Sequence, residues 1–85
     1  MVKSYLLFTT PTCPACPVVK KFLEGIEDKH LLEGRKLDVT TDEGYDNALK
    51  FGISKAPTVI LFDEQKNEIG RAHNVEEIKS MIYDY

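Results

Sequence analysis

Residues 9–22 read Thr-Thr-Pro-Thr-Cys-Pro-Ala-Cys-Pro-Val-Val-Lys-Lys-Phe and hold both cysteines of the chain and three of its four prolines. Two hydrophobic patterns meet in this stretch. Upstream, Val2 to Thr9 is made of β-formers and is apolar at Tyr5, Leu6, Leu7 and Phe8. That run predicts a strand buried on both faces and ended by Pro11. Downstream of Pro14 the period changes. Val18, Phe22 and Ile26 form a row at i, i+4, Val19 and Leu23 lie beside it, and Lys20, Lys21 and Glu24 face away. This predicts an amphipathic helix ending near Asp28–His30.

Arg35 to Val39 alternates, with Leu37 and Val39 inward, and fits a short second strand. Thr41 or Asp42 then caps a helix with Tyr45, Ala48 and Leu49 on its inner face and Gly52 as its stop. Thr58 to Phe62 is a third strand, Asp63 to Asn67 a polar turn, and Glu68 to Ala72 the returning arm of a hairpin. Asn74 and Glu77 resemble a capping box that opens a last helix with Val75, Ile78, Met81 and Ile82 inward. The order β-α-β-α-β-β-α predicts an α/β fold: a four-stranded mixed sheet with helices on both faces. Strands separated by helices are expected to pair in parallel through right-handed crossovers, with the hairpin adding one antiparallel edge strand. Sites in such sheets form at the carboxyl ends of parallel strands, and the cysteines follow the first strand directly.

The bulk composition bounds the function classes. Eighty-five residues, 42% hydrophobic and 29% charged, predict a single globular domain over residues 1–85. A net charge of −3 with dispersed basic residues carries no footprint for nucleic acid or a membrane surface. The longest apolar run, Tyr5 to Phe8, is far too short to span a bilayer, and the N-terminus has no signal-peptide pattern. A cytoplasmic monomer is expected, in a compartment where thiols are kept reduced.

Three chemistries compete for Cys13 and Cys16. As a metal clasp, Cys13-x2-Cys16-x13-His30 matches three zinc ligands. The fourth position falls on Gly34, Arg35 and Lys36, and His73 lies beyond two strands, so a protein-only site fails on spacing. His30 and His73 then read as exposed polar residues near element ends. As a structural staple, so small a disulfide loop is worth only about 2 kcal/mol in the chain-entropy model and does not persist in a reducing compartment. As a redox pair, Cys13 near the helix N-cap faces the free N–H groups of the first turn, those of Ala15 and Cys16. Helix-terminus electrostatics of about 0.3–2 kcal/mol would bring a thiol pKa from about 8.5 down towards 7, so that the thiolate is abundant at cellular pH. Cys16, one turn further in, stays protonated and resolves the mixed disulfide. Pro14 fits the first helical position. Pro17 falls where helix bonding begins, and is expected to remove one bond and loosen the first turn.

Cys13-Pro14-Ala15-Cys16 after the first strand, then Lys55-Ala56-Pro57-Thr58-Val59 leading into the third, resembles the thioredoxin/glutaredoxin superfamily. The likeness runs nearly the whole length, through "FGISKAPTVILF" and "EIGRA", and suggests a small glutaredoxin-like thioredoxin. It implies the thioredoxin fold, with Cys13 and Cys16 catalytic and a cis bond between Ala56 and Pro57 packed against them. It also implies that Pro14, Ala15, Ala56, Pro57 and Thr58 form the substrate-binding surface, Ala56 pairing with an extended target strand. The implied activity is reduction of protein disulfides by thiol–disulfide exchange, with no bound cofactor, disulfide-containing proteins as targets and a flavoprotein disulfide reductase as donor.

The chain departs from both branches of that superfamily. Thr12 replaces the tryptophan and Leu7 the buried aspartate of thioredoxins, leaving Lys20 as a candidate to assist Cys16, against the plainer reading of a solvated lysine. Ala15 replaces the tyrosine of glutaredoxins. Ile69-Gly70-Arg71-Ala72-His73-Asn74 lacks their Gly-Gly turn and aspartate for glutathione. Two other readings stay open: a glutathione-dependent glutaredoxin, holding an iron–sulfur cluster or not, and a non-catalytic binding or metal-delivery module.

Overall fold

A computed structural model describes residues 2–83 and places the elements in the order β1 (Ser4–Thr9), α1 (Cys16–His30), β2 (Glu33–Asp38), α2 (Asp42–Phe51), β3 (Thr58–Phe62), β4 (Glu68–Ala72) and α3 (Val75–Tyr83). The side chain of His30 lies outside the described residues. The strands form one mixed sheet in the order β2-β1-β3-β4, which is the thioredoxin fold expected. β1 is central and runs parallel to β2, with Leu7 opposite Lys36 and Phe8 opposite Leu37.

The β3–β4 hairpin is antiparallel as expected, but the direction of β3 overturns the expectation that all strands separated by helices pair in parallel. β3 runs antiparallel to β1, with Phe8 opposite Thr58 and Leu7 opposite Val59, so β1 and β2 are the only parallel pair among the described strands. The difference lies in where the connection ends, not in its length. A parallel crossover must carry the chain back to the start of the sheet, whereas α2 and the following loop bring it to the end that β2 left. The functional consequence is a convergence: the carboxyl end of β1, which leads to the cysteines, meets the amino end of β3, which follows Pro57.

Side-chain alternation along β1 separates two cores. Tyr5 and Leu7 point to a cluster with Val59, Leu61, Val19, Leu23, Ile26 and Ile78, under α1 and α3. Phe8 points to the other, with Leu37, Ile60 and Ala48, under α2. Two helix faces are phased differently from the sequence reading. In α1 the buried row is Cys16, Val19, Leu23 and Ile26, with Phe22 partly buried, and Val18 is 61% exposed. In α2 the buried residues are Gly44 and Ala48 with Phe51 packed beside them, while Tyr45 and Leu49 are 56% and 64% exposed. Gly44 explains the second shift. A Cβ there would run into the Asp38 carbonyl, so the glycine lets the helix seat close to the end of β2 and rotates Tyr45 outward.

Local chemistry explains the element ends. Thr41 Oγ1 accepts from the Gly44 N–H at 3.0 Å, which fixes Thr41 as the cap of α2. Gly52, at φ 67°, stops that helix in the left-handed conformation that glycine adopts without a steric penalty. Asp63 Oδ1 accepts from the N–H groups of Gln65 and Asn67 and holds the β3–β4 turn. Asn74 Oδ1 accepts from the Glu77 N–H at 2.8 Å, one half of the expected capping box. The returning Glu77 carboxylate takes the N–H of His73, one residue before Asn74, at 2.7 Å. No helix among the described residues is long and apolar enough to cross a membrane.

Candidate active site

The chain leaves β1 at Thr9, turns through Pro11 and Thr12, and enters α1 at Cys16. The cap of this helix is Ala15, whose side chain makes no capping hydrogen bond. The Cys13 sulfur takes that part: the backbone N–H of Cys16 donates to Cys13 Sγ at 3.1 Å. Of the two N–H groups expected at the sulfur, Cys16 is the one found there. Pro14 lies before the helix, not at its first position. Pro17 occupies the first turn, where an N–H has no intrahelical acceptor. No bond is lost there, since the first one runs from the Val19 N–H to the Ala15 carbonyl. Pro17 is thus an ordinary helix-start residue that stiffens the turn behind the sulfurs.

Cys13 and Cys16 are joined in a disulfide with their α-carbons 5.4 Å apart. Their environments differ. Cys16 is 5% exposed and belongs to the buried row of α1, whereas Cys13 is partly exposed. A cleft of about 290 Å³ opens on the pair, lined by Thr10, Pro11, Cys13, Cys16, Lys20 and Asp38. Lys20 lines this cleft, one helical turn beyond Cys16, and is exposed, in keeping with the plainer reading of a solvated lysine. Asp38, which the sequence reading missed, enters from the end of β2. Its Oδ1 accepts from the side chain and the backbone N–H of Thr40, and these bonds hold its carboxyl below the usual carboxylate range.

The second half of the site precedes β3. The Ala56–Pro57 peptide bond is cis, as the resemblance implied. Pro57 is buried and Ala56 partly so, while Pro14 and Ala15 are exposed beside the disulfide. Thr58, also expected on the substrate-binding surface, follows Pro57 directly. It is 2% exposed, and its hydroxyl donates to the Lys55 carbonyl at 2.6 Å, so it braces the loop from inside. Next to the sulfur cleft runs an apolar groove of about 360 Å³ lined by Thr10, Val39, Tyr45, Leu49, Ile53 and Ala56. Thr10 belongs to both and joins them. Among the described residues no three His, Cys, Asp or Glu side chains gather to hold a metal.

Known proteins resemble this chain in sequence and in fold. A family model described as glutaredoxin matches residues 5–65. A probable thioredoxin of Archaeoglobus fulgidus is 41% identical over 58 residues, covering 68% of this chain and 64% of that protein. The chain belongs to the thioredoxin/glutaredoxin superfamily. A thioredoxin of Methanocaldococcus jannaschii is 32% identical over 57 residues, 65% of each chain. Both matches span less than two thirds of the relative's own length. The structure of thioredoxin 1 from Thermosipho africanus superposes with a TM-score of 0.81 at 24% identity, covering 96% of this chain and 92% of that one, which speaks for the superfamily fold. The glutaredoxin model and the thioredoxin relatives meet in one chain, in keeping with a sequence that departs from each branch in part.

Proposed function

We propose that this protein is a small dithiol–disulfide oxidoreductase that reduces disulfides in other proteins. The observation that carries the reading is the asymmetry of the pair: a partly exposed Cys13 sulfur receiving a first-turn N–H, bonded to a buried Cys16. In the reduced form the Cys13 thiolate, stabilised by that N–H and the helix terminus, attacks one sulfur of a target disulfide and expels the other as a thiolate. Cys16 then loses its proton and attacks Cys13 Sγ, forming the Cys13–Cys16 disulfide and releasing the second target thiol. Two electrons pass from the dithiol to the target, and a flavoprotein disulfide reductase of the thioredoxin-reductase type returns them.

The apolar groove beside the pair supports a protein substrate. Tyr45 and Leu49 on its rim and Ala56 at its end suit an extended segment carrying apolar side chains. The expected outcome is that Cys13→Ser abolishes insulin-disulfide reduction, while Cys16→Ser accumulates a mixed disulfide with its target. Normal turnover by Cys13→Ser overturns the assignment. The glutaredoxin match at residues 5–65 favours a second reading in which glutathione is the donor. A coupled assay that offers glutathione with its reductase and, separately, thioredoxin reductase decides between them.

A further inference from the structure

His73 stands behind the loop that carries Pro57, at the junction of β4 and α3, and is partly buried instead of exposed as its sequence position suggested. Its Nδ1 lies 3.3 Å from Thr58 Oγ1 and 3.4 Å from the Pro57 carbonyl oxygen. The Thr58 hydroxyl has a single hydrogen, and the Lys55 carbonyl takes it at 2.6 Å. Towards His73 that hydroxyl therefore offers only lone pairs, and the Pro57 carbonyl can only accept. Both contacts require the hydrogen to sit on Nδ1, shared between two acceptors, which accounts for their length. The partners thus assign the Nδ1–H tautomer to the neutral ring.

The other side of His73 is equally tied. Its backbone N–H donates to Glu77 Oε1 at 2.7 Å, and the Glu77 N–H donates to Asn74 Oδ1 at 2.8 Å. Hydrogen bonds to the backbone N–H of His73 on one side and to its ring on the other so link the first turn of α3 to Pro57, Thr58 and Lys55. Among the described residues the recorded hydrogen bonds of His73 go to this loop and to Glu77, and none reaches a sulfur.

We propose that His73 is a positioning residue for the target protein: its Nδ1–H clamps the 55–58 loop so that the Ala56 backbone is held for pairing with the extended segment that carries the target disulfide. The inference rests on the disulfide-exchange reading for its substrate, but its physical content, a clamped loop, is independent of turnover. His73 takes no part in ionising Cys13.

The test compares the full-length wild type with His73→Ala, His73→Asn and His73→Gln. The asparagine amide places an N–H near the position of Nδ1, whereas the glutamine amide reaches the position of Nε2. For insulin-disulfide reduction, His73→Ala is expected to raise KM about tenfold with kcat nearly unchanged, the size of one lost hydrogen bond expressed as uniform binding. His73→Asn recovers most of that loss and His73→Gln does not. The pH midpoint for alkylation of Cys13 by iodoacetamide stays at the wild-type value in all variants. Equal losses in the asparagine and glutamine variants, an unchanged KM in His73→Ala, or a shifted alkylation midpoint overturns the proposal. Amide hydrogen exchange at Ala56 and Thr58 reads the clamp without any turnover. It should quicken in His73→Ala and return in His73→Asn, and unchanged exchange in His73→Ala also overturns the clamp. Should the wild type reduce no protein disulfide, the functional reading fails while the exchange result still decides the clamp.

Discussion

The two faces of the sheet are built to different degrees of closure. Among the described residues, the core under α1 and α3 has eleven buried members, Tyr5, Leu7, Leu23 and Ile78 among them, edged by the partly buried Phe22, Ile69, Val75, Met81 and Ile82. Under α2 the core is Phe8, Leu37, Ile60 and Ala48, ringed by the half-buried Leu6, Val39, Phe51, Ile53 and Phe62. A ten-residue helix is about 15 Å long and cannot roof a four-stranded sheet alone. Its shortfall leaves an apolar groove at the cysteine end and a cavity of about 440 Å³ at the far end, between Leu6, Phe51 and Phe62. At the mouth of α1, Cys16 is 5% exposed at the floor of the sulfur cleft. The open face presents apolar surface beside the partly exposed Cys13. In the function proposed above, stability and recognition would thus be divided between the two sides of a single central strand.

The sharpest way to break that division is to truncate one leucine on each side. Leu23, 0% exposed in the closed core, should cost about 3 kcal/mol on Leu23→Ala, within the range for buried leucines. Out of a total stability of about 5–15 kcal/mol this is a large fraction. Leu49→Ala, on the rim of the open face, should stay within about 0.5 kcal/mol. Denaturant midpoints measure both. Equal losses would mean that α2 is as tightly seated as α1 and that the rim residues belong to the core.

A smaller effect sharpens the other half of the comparison. Replacing Tyr45 and Leu49 together by serine removes apolar contact area from the groove while leaving both cysteines untouched. KM for a protein disulfide should rise about tenfold, the equivalent of roughly 1.4 kcal/mol of lost burial. Reduction of a small aromatic disulfide reagent should proceed at the wild-type rate. If both substrates slow together, the groove acts on the chemistry of the pair and not on recognition.

The same division separates what was legible in the sequence from what was not. Features set by a few neighbouring atoms read correctly: the Thr41 cap, the Gly52 stop, the Asp63 turn and the order of elements. Phasing of a helix is different, because apolar rows overlap. In α1 the row through Val18, Phe22 and Ile26 shares Ile26 with the true row through Cys16, Val19 and Leu23. Choosing between them requires knowing that Cys16 packs as an apolar residue. In α2 the deciding fact is a backbone approach, the Asp38 carbonyl against Gly44, which no periodicity reports. The direction of β3 depends on where a connection ends in space. The cis bond at Pro57 was available only through resemblance, and the environment of His73 is made by residues 15 and 16 positions away in the chain. The placing of Cys13 and Cys16 together at the mouth of α1 was therefore legible, and the surfaces and braces that tertiary structure brings to them were not.

The closed face has one polar seam at the end away from the cysteines, and it offers the mildest test. The Tyr5 ring lies where a side chain at residue 34 would stand, so Gly34 makes room for it, and the phenol donates to Glu27 Oε1. Lys36 Nζ, 3.7 Å from Glu27 and 3.5 Å from Glu24, completes the seam. Burial first, then the bond to Glu27 and its negative charge, push the phenol above the ordinary tyrosine range. The sign follows from linkage. The folded state keeps the proton that the unfolded chain releases near pH 10, so the contribution is whole below that pH and is lost progressively as pH rises above it. Tyr5→Phe should cost about 1 kcal/mol at neutral pH for the lost hydrogen bond. The difference in denaturant midpoint between wild type and variant should then shrink between pH 10 and 12, because only the wild type has this proton to lose. A constant difference across that window would mean that the ring is wet at its hydroxyl, and that the closed face is open at this end too.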